Sequence, residues 1–223
     1  MKLPVILSLS APRPQSGKDT LASQLINHYG KDRVATIAFG DYLRDCVAHL
    51  FGVNAADVRE MLDDKRKDIP TALCKGTSIV HAEYRELLLT MGVNLHEYQT
   101  PRFHMQRFGN DYIKGHMGLE DFWVDVVDRR IAWLVKTNPR LKVIIVTDTR
   151  SPNEFEWLKA HGSKFVLVQR TGFPKDAHDE PREVHPVETH ALKWNYDIKL
   201  WNHYGYKDEL ITEDLLDMIN FRN

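Results

Sequence analysis

Five consecutive residues, Ser16-Gly17-Lys18-Asp19-Thr20, combine a permissive backbone, a mobile positive charge and oxygen-bearing side chains. That combination suits the binding of a phosphate-bearing ligand. Gly17 lets backbone amides approach an anion closely, and Lys18 supplies charge. A helix beginning here adds its unpaired first-turn N–H groups and the positive end of its dipole. Thr20 is the nearest hydroxyl that could face a magnesium ion. The usual phosphate-loop pattern has a glycine five residues before Gly17 and a hydroxyl residue after the lysine; here Pro12 and Asp19 stand at those places. The alternative is an ordinary surface turn, which leaves unexplained why Lys18 should oppose the dipole with no anion to bind.

The elements that must position this stretch are legible on either side. Pro4–Ser10 is apolar and reads as a buried strand, and Leu21, Ala22, Leu25, Ile26 and Tyr29 mark a helix after the loop. Arg33–Gly40 reads as a second core strand ending on a corner at Gly40-Asp41. Tyr42–Phe51 follows as a helix with Leu43, Val47 and Leu50 on one face. Arg44 lies off that face, placed either to reach a cleft at the strand end or to sit in solvent. Residues 52–79, with the charge run Asp63–Asp68, read as an exposed loop. Helical patterns resume at Glu83–Met91 and Thr100–Ile113, where Thr100 suits a cap and Pro101 the first helical position. Arg102 and Gln106, four residues apart, share a side of that helix and suit a phosphate and a base edge. Another long helix begins at Asp121-Phe122-Trp123.

Leu141–Thr147 is the clearest buried strand and runs into Asp148-Thr149-Arg150-Ser151-Pro152-Asn153-Glu154. Open α/β sheets place ligands at the carboxyl ends of their strands. There Asp148 can hold a magnesium-bound water or orient an attacking group, and Arg150 can neutralise a transferring phosphoryl. Asp148 could also cap the helix starting near Pro152, a role compatible with the first. A helix over Asn153–His161 and a strand over Lys164–Gln169 lead to Arg170. The segment Thr171–His190, rich in proline and charge, suits a lid, with Arg170 and Arg182 closing over phosphates. His178, His185 and His190 could suggest a metal, but their irregular spacing and the lack of a nearby cysteine favour solvated or hydrogen-bonding histidines. Tyr196–Trp201 reads as a last strand, Asn202–Gly205 as a turn and Leu210–Ile219 as a closing helix.

At 223 residues and 43% hydrophobic content, one core with a smaller lobe is expected. A formal charge of −1, from 30 basic and 31 acidic residues, disfavours a nucleic-acid or membrane-surface protein. Two cysteines without metal-ligand neighbours argue against a disulfide framework or zinc site and for a reducing cytoplasm. The N-terminal apolar run is too short to span a bilayer.

Taken together, Ser16–Thr20, Thr100-Pro101-Arg102 with Gln106 and Phe108-Gly109, Asp121–Val124, Thr147–Glu154, and His185 with Glu188 resemble the bacteriophage deoxynucleoside-monophosphate kinases. The resemblance implies an α/β P-loop fold of one domain over 1–223, with a parallel sheet flanked by helices, a helical acceptor lobe inserted over 41–137 and a lid over 171–192. It implies transfer of the γ-phosphoryl of ATP to a deoxynucleoside 5′-monophosphate, with Mg2+. By that resemblance Ser16, Gly17, Lys18, Asp19, Thr20 and Arg170 hold ATP, and Asp19 and Thr20 the metal. Arg44, Arg102, Gln106 and Glu154 hold the acceptor, Lys18, Asp148 and Arg150 are catalytic, and a homodimer is plausible. Two rivals are a dephospho-coenzyme A kinase, which shares loop, sheet and lid, and a non-catalytic nucleotide-binding regulator, for which Pro12 and Asp19 argue.

Overall fold

The computed structural model describes residues 3–12, 16–52, 60–62, 66–172, 193–203 and 209–220. Most of the expected lid, with Arg182, Glu188 and the three histidines, lies outside the described residues, as do Arg13–Gln15 and Asp63–Lys65. Two compact units are present: residues 1–39 with 127–223, and residues 40–126.

The first unit is built on five parallel strands, β1 (Val5–Ser10), β2 (Val34–Ile37), β3 (Val143–Val146), β4 (Lys164–Thr171) and β5 (Ile198–His203), in the order β2-β3-β1-β4-β5. β1 pairs on one side with β3, Leu7 opposite Ile145, and on the other with β4, Leu9 opposite Val166. Its carboxyl end therefore lies where the strand order reverses, the place at which open sheets leave a crevice. Alternation assigns the faces. Val5, Leu7 and Leu9 of β1, with Val143, Ile145, Val166, Val168 and Leu200, meet Leu21 and Leu25 of helix α1 (Lys18–Tyr29), and Leu215 and Ile219 of the C-terminal helix Glu213–Asn220. The other face takes Phe165, whose ring lies 4.4 Å from that of Phe155 on the helix Pro152–Ala160.

Several expected boundaries move. The helix expected from Tyr42 begins at Phe39, as α2 (Phe39–Leu50), so the strand before it is shorter and the corner at Gly40-Asp41 is already helical. The turn expected at Asn202 is strand, because the alternation of β5 carries Asn202 inward while Trp201 and His203 face out.

In the second unit, the stretch expected as a wholly exposed loop contains 3-10 turns at Ala72–Cys74 and Gly76–Ser78, which bury Cys74 and Gly76; Ile79 beyond them is also buried. Thr71 explains part of this. Its side chain accepts from Leu73 N, and its own N–H bonds Gln99 O at 3.0 Å. Next come α3 (Ala82–Thr90) and α4 (Pro101–Gln106), the latter capped as expected by Thr100, whose Oγ1 accepts from Phe103 N at 3.0 Å. The chain then widens into a π-helix over Arg107–His116, a rare form that is frequent at functional sites. Helix α5 (Phe122–Thr137) runs from this unit into the first.

The core of the second unit is polar at one point. His104 is fully buried, its Nε2 2.9 Å from Cys74 O and its Nδ1 3.1 Å from the Tyr84 hydroxyl. A carbonyl only accepts, so Nε2 carries the proton and Nδ1 accepts from Tyr84. Burial pushes the His104 pKa down, against the opposing pull of the Cys74 carbonyl. The unfolded chain then binds more protons than the folded one below the ordinary histidine value of 6.5. Stability contributed by a neutral His104 is present above that value and declines as pH falls beneath it. Thermal melts from pH 7.5 to 5 should fall more steeply for the native chain than for His104→Gln; parallel profiles would remove His104 as the cause.

Candidate active site

Every residue expected to hold the phosphoryl donor lies in the first unit. Gly17 precedes α1 in a left-handed conformation (φ 107°, ψ 13°), and among the described residues no side chain caps the helix. Gly17 O accepts from Leu21 N at 2.9 Å, so the helix is bonded from its first turn. Ser16 is buried, Gly17 and Lys18 are half-buried, and Asp19 and Thr20 are exposed on that turn. The arrangement offers backbone N–H groups, a lysine and the positive dipole end at the carboxyl end of the central strand.

The strand on one side supplies the second set. Ser8 of β1 lies hydroxyl to hydroxyl with Thr149 at 2.9 Å, both buried, which ties the segment following β3 to the central strand. This fixes Asp148 and Arg150 on either side of Thr149. Asp148 does not cap the helix near Pro152. Its Oδ1 accepts from Phe39 N at 2.7 Å, at the first residue of α2, because that amide follows the neighbouring strand end at Ile37. The helix at Pro152 is instead closed by Glu154. The Glu154 carboxylate is buried and accepts from Arg150 N at 2.7 Å and Ser151 N at 3.0 Å, a capping-box arrangement on Ser151. Burial and then the Asp148 charge raise the Glu154 pKa, while these hydrogen bonds lower it. Arg150 is exposed. Arg170, near the end of β4, is half-buried and pairs in register with Asn202 of β5.

The residues expected to hold the acceptor, Arg44, Arg102 and Gln106, fall in the second unit, and Glu154 in the first. Arg44 bonds Asp41 at 2.9 Å on the exposed side of α2. Arg102 makes a two-point pair with Asp68, Nε to Oδ1 and Nη2 to Oδ2, the second at 3.1 Å. Gln106 is exposed one turn further along. The rings of Phe108, Tyr112 and His116 follow, stacked four residues apart along the π-helix.

One residue was not anticipated. Asn202, buried at 7% exposure, donates from Nδ2 to Ser16 O at 3.0 Å. Its signal in the sequence was the continued alternation of Ile198, Leu200 and Asn202 past the last apolar residue.

Among the described residues no three His, Cys, Asp or Glu side chains converge as a metal-binding group. Magnesium in phosphoryl transfer needs fewer, since it keeps waters and takes ligands from substrate phosphates, and the oxygens of Asp19 and Thr20 fit that donor set. No helix among the described residues is long and apolar enough to cross a membrane.

A parallel α/β sheet flanked by helices, with a glycine-lysine helix start at its switch point, is consistent with a P-loop domain of the nucleoside-monophosphate-kinase kind. The sequence profile of the deoxynucleotide monophosphate kinases matches residues 36–190, more than half of the chain, and the chain belongs to that family. No curated protein matches it. The protein is thus a kinase that phosphorylates deoxynucleotide monophosphates, and neither the dephospho-coenzyme A kinase reading nor the regulatory one is favoured.

Because Glu154 satisfies two backbone amides in a buried place, Glu154→Ala should lower stability by roughly 1–3 kcal/mol, read by chemical denaturation. A change below about 0.5 kcal/mol would mean that water replaces the carboxylate there.

Proposed function

We propose that the chain transfers the γ-phosphoryl of ATP to a deoxynucleoside 5′-monophosphate, giving ADP and the deoxynucleoside diphosphate for dNTP synthesis. The observation that carries the donor side of this reading is the left-handed Gly17 at the start of α1, with Lys18 as its first residue. The family match begins at residue 36, so support for ATP at this loop comes from the loop's own geometry and from the sequence resemblance.

The acceptor is already an anion and needs little help from a base. Catalysis is then in-line positioning and the neutralising of crowded negative charge. In this reading the amides of residues 16–20 and Lys18 hold the donor phosphates, while Arg170 and Arg150 offset charge as the phosphoryl moves. Glu154 serves the acceptor side through the backbone of Arg150, which it holds. Asp148 keeps the turn after β3 in place and orients the attacking phosphate. Asp19 and Thr20 would hold magnesium, which when bound screens charge on the donor phosphates. Arg102 and Gln106 receive the acceptor's phosphate and base edge, and Arg44 also serves the acceptor; Asp68 holds the Arg102 guanidinium until a phosphate competes for it. Residues 171–192 act as the lid. The resemblance to bacteriophage enzymes supports a host-cytoplasm setting and a homodimer.

A coupled ADP-release assay with ATP, magnesium and each natural deoxynucleoside monophosphate tests the reaction, with ribonucleotides and dephospho-coenzyme A as comparisons. Turnover on at least one deoxynucleotide is expected, and silence on all four would sink the proposal. Lys18→Met should cut kcat by about a hundredfold or more without loss of the fold, as removal of a transition-state donor does. Near-native turnover of that variant would remove the loop from the donor site. Arg102→Ala should raise the acceptor KM by roughly ten- to a hundredfold, the value of a charge-assisted hydrogen bond. An unchanged acceptor KM would take Arg102 out of that role.

A further inference from the structure

We infer that Asn202 is a positioning residue for the donor nucleotide: its buried carboxamide on the last strand fixes the peptide between Ser16 and Gly17, and so sets the affinity for the donor phosphates. The inference rests on the reading of residues 16–20 as the donor-phosphate loop.

The pleat of β5 puts Ile198, Leu200 and Asn202 on one face and Lys199, Trp201 and His203 on the other. Asn202 thus continues the line of Leu200 into the core around α1. An amide in such a place is costly unless bonded. Its Nδ2 donates to Ser16 O, across 186 residues of chain. The described chain has no cis peptide bonds, and in a trans peptide the C=O of one residue and the N–H of the next point in opposite directions. Holding the Ser16 carbonyl toward Asn202 therefore turns the Gly17 N–H the other way, as an anion-binding loop requires.

The contact also explains the glycine. A Cβ at position 17 would lie 2.3 Å from Asn202 Nδ2, 3.2 Å from its Cγ and 3.5 Å from Leu210 Cδ1. Asn202 occupies the space that any other residue at 17 would fill, and φ of 107° disfavours a side chain there independently. Just beyond β5, Leu210 N donates to Gln24 Oε1 at 2.8 Å, a second tie between the last strand's outgoing chain and α1. Arg170 is the strand neighbour of Asn202 and by alternation shares its face with Val166 and Val168. The clamp and a charge-neutralising arginine thus sit side by side at the ends of two paired strands.

The test compares Asn202→Ala and the isosteric Asn202→Asp, whose carboxylate cannot donate to a carbonyl. ATP is varied at saturating deoxynucleotide, and the deoxynucleotide at saturating ATP, with ATP binding also titrated at equilibrium. For both variants the ATP KM and dissociation constant should rise about tenfold or more, with the acceptor KM within about twofold of native and a cooperative melt retained. Gly17→Ala should weaken ATP binding less in the Asn202→Ala background than in the native one, since the obstruction at 2.3 Å is gone. Native-like ATP affinity in the Asn202 variants, beside an inactive Lys18→Met, would overturn the inference and leave the loop reading intact. Equal rises in both KM values, additive effects with Gly17→Ala, or loss of the fold in both variants would make Asn202 a general core residue and overturn it too. An active Lys18→Met would remove the loop reading and this inference with it.

Discussion

The pairing of β1 with β3 on one side and β4 on the other is the constraint from which the carboxyl end of the sheet follows. A strand bonded along both edges and buried on both faces has no freedom of register, since a slip of one residue would turn Leu7 and Leu9 away from α1 and bring serines in their place. The serines of β1 are therefore committed to the opposite face. There Ser8 reaches Thr149, and that one buried contact sets where Asp148 and Arg150 emerge. The stretch at residues 16–20 follows the same strand, beginning six residues beyond Ser10.

Side chains then finish what the sheet begins, and they do so mainly by bonding backbone. Asp148 takes Phe39 N, Glu154 takes the amides of Arg150 and Ser151, and Asn202 takes Ser16 O. Asp148 and Glu154 thus hold backbone amides at the turns that carry them. A phosphate-handling site needs such supports, because the anion is held largely by backbone N–H groups whose directions are set by their own peptides.

What the sequence disclosed follows from this division. Val143–Val146 was legible because a strand buried on both faces is uniformly apolar, and the start of α4 because Thr100-Pro101 carries its cap and fixed φ locally. The glycine-lysine helix start was legible for the same reason. Asp148 bonding Phe39 was not, because a side chain and an amide 109 residues apart leave no local pattern. Asn202 lies in β5 and not in a turn, since the alternation it continues outweighs the turn preference of its residue type. The widening of the helix after Gln106 has no signature in composition, and the burial of Cys74 and Ile79 depends on turns closed by the distant Gln99 and Leu95.

The two thiols have a practical meaning. Burial holds Cys74 at a pKa of about 12, and burial with the neighbouring Asp45 charge holds Cys46 at about 11. The thiolate, the reactive form, is therefore scarce at neutral pH for both residues. Raised pKa values slow the reaction of both thiols with alkylating agents near neutral pH. A single cysteine introduced on an exposed face would take a fluorescent or spin label without removal of the native pair, which makes the motions of this chain open to spectroscopy in its own sequence background.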